Sequence, residues 1–171
     1  MKVIDNVFTD TEFLQLRSEF FSLVDTSDPL KSNPMMWTSN RFAWQPYLYR
    51  GKNGHVLSHN VSDQNREIVM KKILEHITPK EPPNVQYYVW GPGSGINRHN
   101  DDGYGAAFTF YLDDWPIEWG GQLHAILDNR PCIIPTKKNR MVINDNKCDH
   151  WVTPVRNIRD RMRFTIQVFV P

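Results

Sequence analysis

Between Val85 and Trp119 the chain has few ways to fold. Val85-Gln86-Tyr87-Tyr88-Val89-Trp90 is rich in β-branched and aromatic residues and reads as a strand, and Gly91-Pro92-Gly93-Ser94-Gly95 breaks it. Ala106 to Leu112 is a second, almost wholly apolar run, as expected of a strand buried on both faces. His99 and Asp101 stand just past the glycine turn. Side chains two apart on an extended backbone share a face, so an imidazole and a carboxylate converge there. Taken alone, such a triplet is more often a solvated loop pair. The rest of the chain has to decide between the two readings.

The flanking segments predict a mixed α+β chain. Val3 to Phe8 reads as a short strand, and Thr9-Asp10-Thr11-Glu12 is a capping-box pattern that starts a helix. Its apolar stripe, Phe13, Leu16, Phe20, Leu23 and Val24, has the spacing of a helix packed on a sheet. Asn40 to Arg50 predicts one or two strands broken at Pro46, followed by a polar turn at Gly51 to Gly54. Trp37 and Trp44 read as buried packing, with the lining of a groove as the alternative. Ser62 caps a second helix through Val69, Met70, Ile73, Leu74 and Ile77, which Thr78-Pro79 closes. Pro82-Pro83 separates this helical half from the strands that follow. Beyond the central stretch, strands are predicted over Gln122 to Leu127, Pro131 to Ile134, Arg140 to Ile143 and Arg163 to Val170, with a turn at Asp145-Asn146-Lys147. Helices first and about eight short strands after them predict a sandwich or barrel as the main body.

Composition narrows the class further. The chain's 171 residues suit one domain, and 20 Lys plus Arg against 19 Asp plus Glu leave no strong net field toward nucleic acid or membrane. Cys132 and Cys148 are too few for a disulfide framework and read as reduced thiols. No cationic leader precedes an apolar core and no apolar run nears membrane-spanning length, so a soluble, cytoplasmic protein is expected.

His150, in His150-Trp151-Val152-Thr153-Pro154-Val155, is the third candidate ligand. Two histidines and one carboxylate on one face leave three adjacent coordination positions open, the arrangement of non-haem Fe(II) sites that bind a cosubstrate and O₂ together. The last strand adds arginines at 161 and 163, two apart and able to share a face, and either can grip a carboxylate through two parallel charge-assisted hydrogen bonds. The remaining candidates have blander readings. Alternation turns His124 away from Leu123's interior face, and Asp102 points opposite to Asp101. His55, His59 and His76 read as loop and helix-surface residues, and Arg156, Arg159 and Arg161 as a solvated face that could also hold an acidic or phosphate-bearing substrate.

The order of these motifs resembles the Fe(II)- and 2-oxoglutarate-dependent dioxygenases, in particular the prolyl 4-hydroxylase-like branch. The resemblance is carried by His-x-Asp after a Gly-rich turn, Tyr-Leu-Asp-Asp-Trp, Trp-Gly-Gly, Pro-x(4)-Arg, His-x-Val-x-Pro-Val and Arg-x-Thr-Ile-x-x-Phe, over about residues 84–171. It implies a double-stranded β-helix (jelly-roll, cupin-like) core over about residues 84–171 with two N-terminal supporting helices over about 9–78, all in one domain, 1–171. It further implies that His99, Asp101 and His150 ligate Fe(II), that Arg163, Tyr111 and Thr165 bind 2-oxoglutarate, and that O₂ is the oxidant with ascorbate as a stimulant. The implied reaction hydroxylates a prolyl or other peptidyl residue of a protein or peptide and releases succinate and CO₂. Nucleic acid is not the expected substrate, because Phe169 stands where the demethylase branch carries a second arginine. The alternative from another class is a non-catalytic jelly-roll binding module.

Overall fold

The computed structural model describes residues 1–25, 38–39, 56–145, 147–156 and 162–171. Their elements, in chain order, are β1 (Lys2–Asp5), α1 (Asp10–Asp25), β2 (Thr38–Ser39), β3 (Val56–Asn60), α2 (Asp63–Leu74), β4 (Asn84–Trp90), β5 (Ile96–His99), β6 (Ala106–Tyr111), β7 (Leu123–Leu127), β8 (Arg130–Ile134), β9 (Arg140–Asn144), β10 (His150–Val152) and β11 (Arg163–Val170). A 3₁₀ turn covers Ile117–Trp119. The expected strands at Asn40 to Arg50 and the turn at Gly51 to Gly54, together with Trp37, Trp44, His55, Arg159 and Arg161, lie outside the described residues.

Both helices begin as their sequences dictate. Thr9 N–H donates to Glu12 Oε2 (2.9 Å) while Glu12 N–H donates to Thr9 Oγ1 (3.3 Å), which is the reciprocal capping box. Ser62 Oγ accepts from Asn65 N–H at the start of α2. The end of α2 differs from the expected Thr78. Ile73 is its last buried residue, Leu74 is 55% exposed, and a closing turn bonds His76 and Ile77 N–H back to the Ile73 carbonyl. Through this turn Ile77 still packs, half-buried, against the outer core.

The strands form two antiparallel sheets. The larger has the order β1-β9-β6-β11-β4-β3-β2 and the smaller β5-β10-β7-β8. The chain is thus α+β with a double-stranded β-helix core, as expected. The sheet crosses Pro82-Pro83, because β1, β2 and β3 precede the prolines and β1 and β3 pair with β9 and β4, which follow them. No strand was expected at Val56–Asn60, and His59 accordingly lies on β3 rather than in a loop. Its pairing with β4 is a long-range choice that local propensity does not reveal.

Two cores follow from the period-two alternation of the strands. Phe164, Ile166, Val168 and Val170 of β11 face outward with Phe108, Phe110, Met141 and Ile143, and pack under Phe8, Phe13, Leu16, Phe20 and α2. Between the sheets lie Trp90, Tyr111, Leu123, Ala125, Val142, Cys148 and Val152. Arg163, Thr165 and Gln167 share that interior face and are buried.

Candidate metal centre and its buried arginine

The glycine turn hands the chain to β5, and β5 pairs with β10 so that His99 and His150 are direct cross-strand partners. Their rings lie 4.3 Å apart. Asp101 sits past the end of β5, in a turn closed by Tyr104 N–H on the Asp101 carbonyl (2.9 Å). Simple strand parity therefore does not place it. It still converges, with Oδ1 3.7 Å from His99 Nε2 and Oδ2 3.5 Å from His150 Nε2. The ligand atoms of His99, Asp101 and His150 all lie within 4.8 Å of one another.

The ring orientations suit a metal. His99 Nδ1 lies 2.7 Å from the Asn97 carbonyl and His150 Nδ1 2.9 Å from the Cys148 carbonyl. A carbonyl only accepts, so each Nδ1 carries the proton and each Nε2 presents a lone pair toward Asp101. Burial holds the His99 pKa below its ordinary value, aided by His150 and opposed by the Asn97 carbonyl, Asp101 and Asp149. The neutral imidazole favoured in this way is the form that ligates. Asn144, at the end of β9, donates Nδ2–H to Asp101 Oδ2 (3.1 Å).

Arg163 opens β11 opposite Trp90 of β4 and is only 1% exposed. Its guanidinium carbon lies 5.1 Å from the ring centroids of both Trp90 and Tyr111, yet among the described residues Nε and Nη1 find no hydrogen-bond partner within bonding geometry, and neither does the Tyr111 hydroxyl. Burial pushes the Arg163 pKa down, opposed by neighbouring Tyr111. Arginine keeps its charge even so, and a buried cation without an anion is costly. Among the described residues Arg163 lacks an anionic partner. Arg163 and Tyr111 line the same cavity as His99, Asp101 and His150, together with Trp90, Thr109, Gln167 and Phe169. The close approach is made possible by Gly121 (φ 66°), where a Cβ would come within 3.1 Å of Arg163 Cδ and 2.9 Å of Val155 Cγ2. The preceding Gly120 (φ 68°) lies still closer to the chain, 2.1 Å from the Pro154 carbonyl oxygen if given a Cβ.

Thr165 is placed differently from the other expected residues. Its Oγ1 accepts from Trp90 Nε1 (3.1 Å) and Gln167 Nε2 (3.3 Å), and it does not line the cavity. His124 stacks on Trp151 (5.0 Å, 20°) and is likewise absent from the cavity wall, as alternation predicted. Asp102 is exposed and outside the ligand group, and Arg156 is exposed. His59 points at its own neighbour's carbonyl, Asn60 O, at 2.7 Å. Cys132 and Cys148 are free thiols. Among the described residues no helix is long and apolar enough to cross a membrane.

Sequence reading missed Trp90, Thr109, Gln167 and Asn144 as parts of the site. Gln167 carried a signal, because it shares Arg163's parity on an otherwise apolar strand; Asn144 carried none.

The family model of the 2OG-Fe(II) oxygenase superfamily matches residues 83–170. No curated protein matches the chain. Among solved structures, a prolyl hydroxylase from Trichoplax adhaerens in complex with a hypoxia inducible factor peptide superposes with a TM-score of 0.73 at 15% identity, over 99% of this chain and 82% of that one. A Pseudomonas putida prolyl-4-hydroxylase gives 0.66 at 14% identity, over 99% and 90%. HygX from Streptomyces hygroscopicus, with nickel, 2-oxoglutarate and hygromycin B bound, gives 0.63 at 11% identity, over 99% and 82%. At such identities the structures speak for the fold.

Proposed function

The chain belongs to the 2OG-Fe(II) oxygenase superfamily, and from that premise we propose that His99, Asp101 and His150 hold its Fe(II) while Arg163 and Tyr111 hold the distal carboxylate of 2-oxoglutarate. It is a 2-oxoglutarate-dependent dioxygenase. Fe(II), when bound with 2-oxoglutarate and O₂, supplies an oxidation in which the cosubstrate becomes succinate and CO₂ and the substrate gains one oxygen. One observation carries the residue assignment: a fully buried guanidinium, two of whose nitrogens lack partners among the described residues, and a fully buried phenol that likewise lacks one face the cavity that holds the two imidazoles and the carboxylate. An anion between them satisfies both. A non-catalytic binding module has no use for the complete set.

Each residue then has a physical task. The carbonyls of Asn97 and Cys148 keep the imidazole lone pairs on the metal side. Trp90 and Tyr111 wall off water around Arg163, which strengthens its attraction for a carboxylate. Thr165 acts one step back, holding the Trp90 indole that forms this wall.

We further read the substrate as a prolyl or other peptidyl residue, on the support of the shared fold with two prolyl hydroxylases. The free thiols support a reducing, cytoplasmic setting. The test has two stages. Metal-stripped protein should melt at higher temperature with Mn(II) plus 2-oxoglutarate or N-oxalylglycine, since a ligand that binds only the native state stabilises it. With Fe(II) and ascorbate present, succinate should form, and Zn(II) or Co(II) should block it. Metal-independent succinate release, or no shift with either ligand, would defeat the assignment. Incubation with proline-containing peptides, read as a mass gain of one oxygen, tests the substrate class.

A further inference from the structure

Backbone carbonyls orient both histidines, but the carboxylate is held by a side chain. Asn144, the last residue of β9, is 6% exposed, and its Oδ1 accepts the Cys148 N–H at 3.2 Å. That bond fixes which end of the amide faces the centre. Nδ2 consequently lies 3.1 Å from Asp101 Oδ2 and 3.4 Å from His150 Nδ1. The shorter contact of His150 Nδ1, 2.9 Å to the Cys148 carbonyl, requires a proton on that nitrogen, so it cannot also accept from Asn144. The amide's donation goes to Asp101.

Resting on the metal centre assigned above, we propose that Asn144 is a positioning residue that makes Asp101 a one-oxygen ligand: its amide occupies Oδ2 and leaves Oδ1, on the His99 side, for the ion. A carboxylate can ligate through one oxygen or both. With both, Asp101 would take a coordination position that the cosubstrate or O₂ needs. A hydrogen bond to Oδ2 opposes that closure and limits rotation of the carboxylate. Asn144 acts through Asp101, since its own polar atoms are committed to Asp101 and Cys148.

The competing role for Asn144 is to hold the turn before β10, and thereby His150. Co(II) binding to metal-stripped protein separates the two in a double-mutant cycle of the parent, Asn144→Ala, Asp101→Ala and the double variant. Loss of such an outer partner typically costs about 10–100-fold in metal affinity, and Asn144→Ala should weaken Co(II) by about that factor. In the Asp101→Ala background the same change should alter Co(II) affinity by less than about threefold. Equal weakening in both backgrounds, or a parent-like affinity for Asn144→Ala, overturns the proposal. Should the alanine variant fail to fold, Asn144→Asp keeps the size and the acceptor for Cys148 N–H but sets an acceptor against Asp101; it too should weaken Co(II) only where Asp101 is present, and an unchanged or tighter affinity overturns the proposal. A parent that binds no Co(II) defeats the metal centre itself, whereas a binding parent with indifferent variants defeats only the role of Asn144.

Discussion

The two faces of the seven-stranded sheet are built from the same strands and serve opposite ends. Tyr87 and Tyr111 make the contrast concrete, since both are 0% exposed. On the outer face the Tyr87 hydroxyl reaches Glu19 Oε2 at 2.8 Å and the Leu16 carbonyl at 3.1 Å, among apolar side chains of α1 and α2. Burial, with Glu19's charge, pushes its pKa well above the ordinary tyrosine value. On the inner face the Tyr111 hydroxyl has no partner among the described residues, and it lies beside a guanidinium with two nitrogens in the same position. Unpaired buried polar groups cost about 1–3 kcal/mol each, so the outer face must supply stability that the inner face forgoes. The difference teaches where ligand binding is proposed: among the described residues, nothing completes the inner face.

The comparison can be broken at several points. The largest effect belongs to the proposed metal ligands. Asp101→Ala or His99→Ala should lower succinate formation by at least about a hundredfold, more than loss of an outer partner, with the fold retained because neither truncation opens the apolar core. Asp102→Ala should change it little, and the reverse ranking would move the ligand to Asp102. Phe20→Ala probes the opposite face. Its ring is fully buried, 4.6 Å from Phe164 and 5.4 Å from Tyr87, so it should cost about 3–5 kcal/mol in denaturant unfolding and leave the 2-oxoglutarate KM of folded protein unchanged.

Arg163→Met sharpens the contrast, because one change should act in both directions. Ligand-free protein should gain about 1–3 kcal/mol as the partnerless charge disappears, while stabilisation by 2-oxoglutarate is lost. Destabilised ligand-free protein would mean that Arg163 is a structural residue. Arg163→Lys should raise the 2-oxoglutarate KM about tenfold, the loss of one charge-assisted bond at about 1.5 kcal/mol. Arg161→Lys, changed in parallel, should alter it by less than about threefold.

The smallest effect belongs to the rim, outside both faces. Asp5 Oδ1 accepts from Arg140 Nε (2.6 Å) and Oδ2 from Lys137 Nζ (2.9 Å), tying β1 to β9 and its approach. These bonds, Arg140's first, hold the Asp5 pKa well below the carboxylate range. With 35% of the side chain exposed, solvent screening limits the contribution, and Asp5→Asn should cost less than about 1 kcal/mol at neutral pH. Because the folded pKa is depressed, the contribution is present above the unfolded value of about 3.9 and lost as pH falls below it toward the folded value. Parent and variant melting curves should therefore converge in acid.

Local features needed only the sequence. Thr9 with Glu12 and Ser62 with Asn65 sit a turn apart, so both helix starts were legible, as was the division of β11 into Arg163, Thr165, Gln167 and Phe169 on one face and Phe164, Ile166, Val168 and Val170 on the other. The residue types of His99, Asp101, His150 and Arg163 were enough to suggest the proposed site. Tertiary structure decided what depends on partners far along the chain. It set His150 opposite His99 through the pairing of β5 with β10, drew Val56–Asn60 into the sheet beside β4, and ended α2 at Leu74, short of Thr78. It also gave Thr165's hydroxyl to Trp90 and brought Asn144 to Asp101 across 43 residues. Propensity and periodicity act over a few neighbouring residues, whereas which strand lies beside which, and so which polar atom meets which, is decided by the packing of the whole sheet.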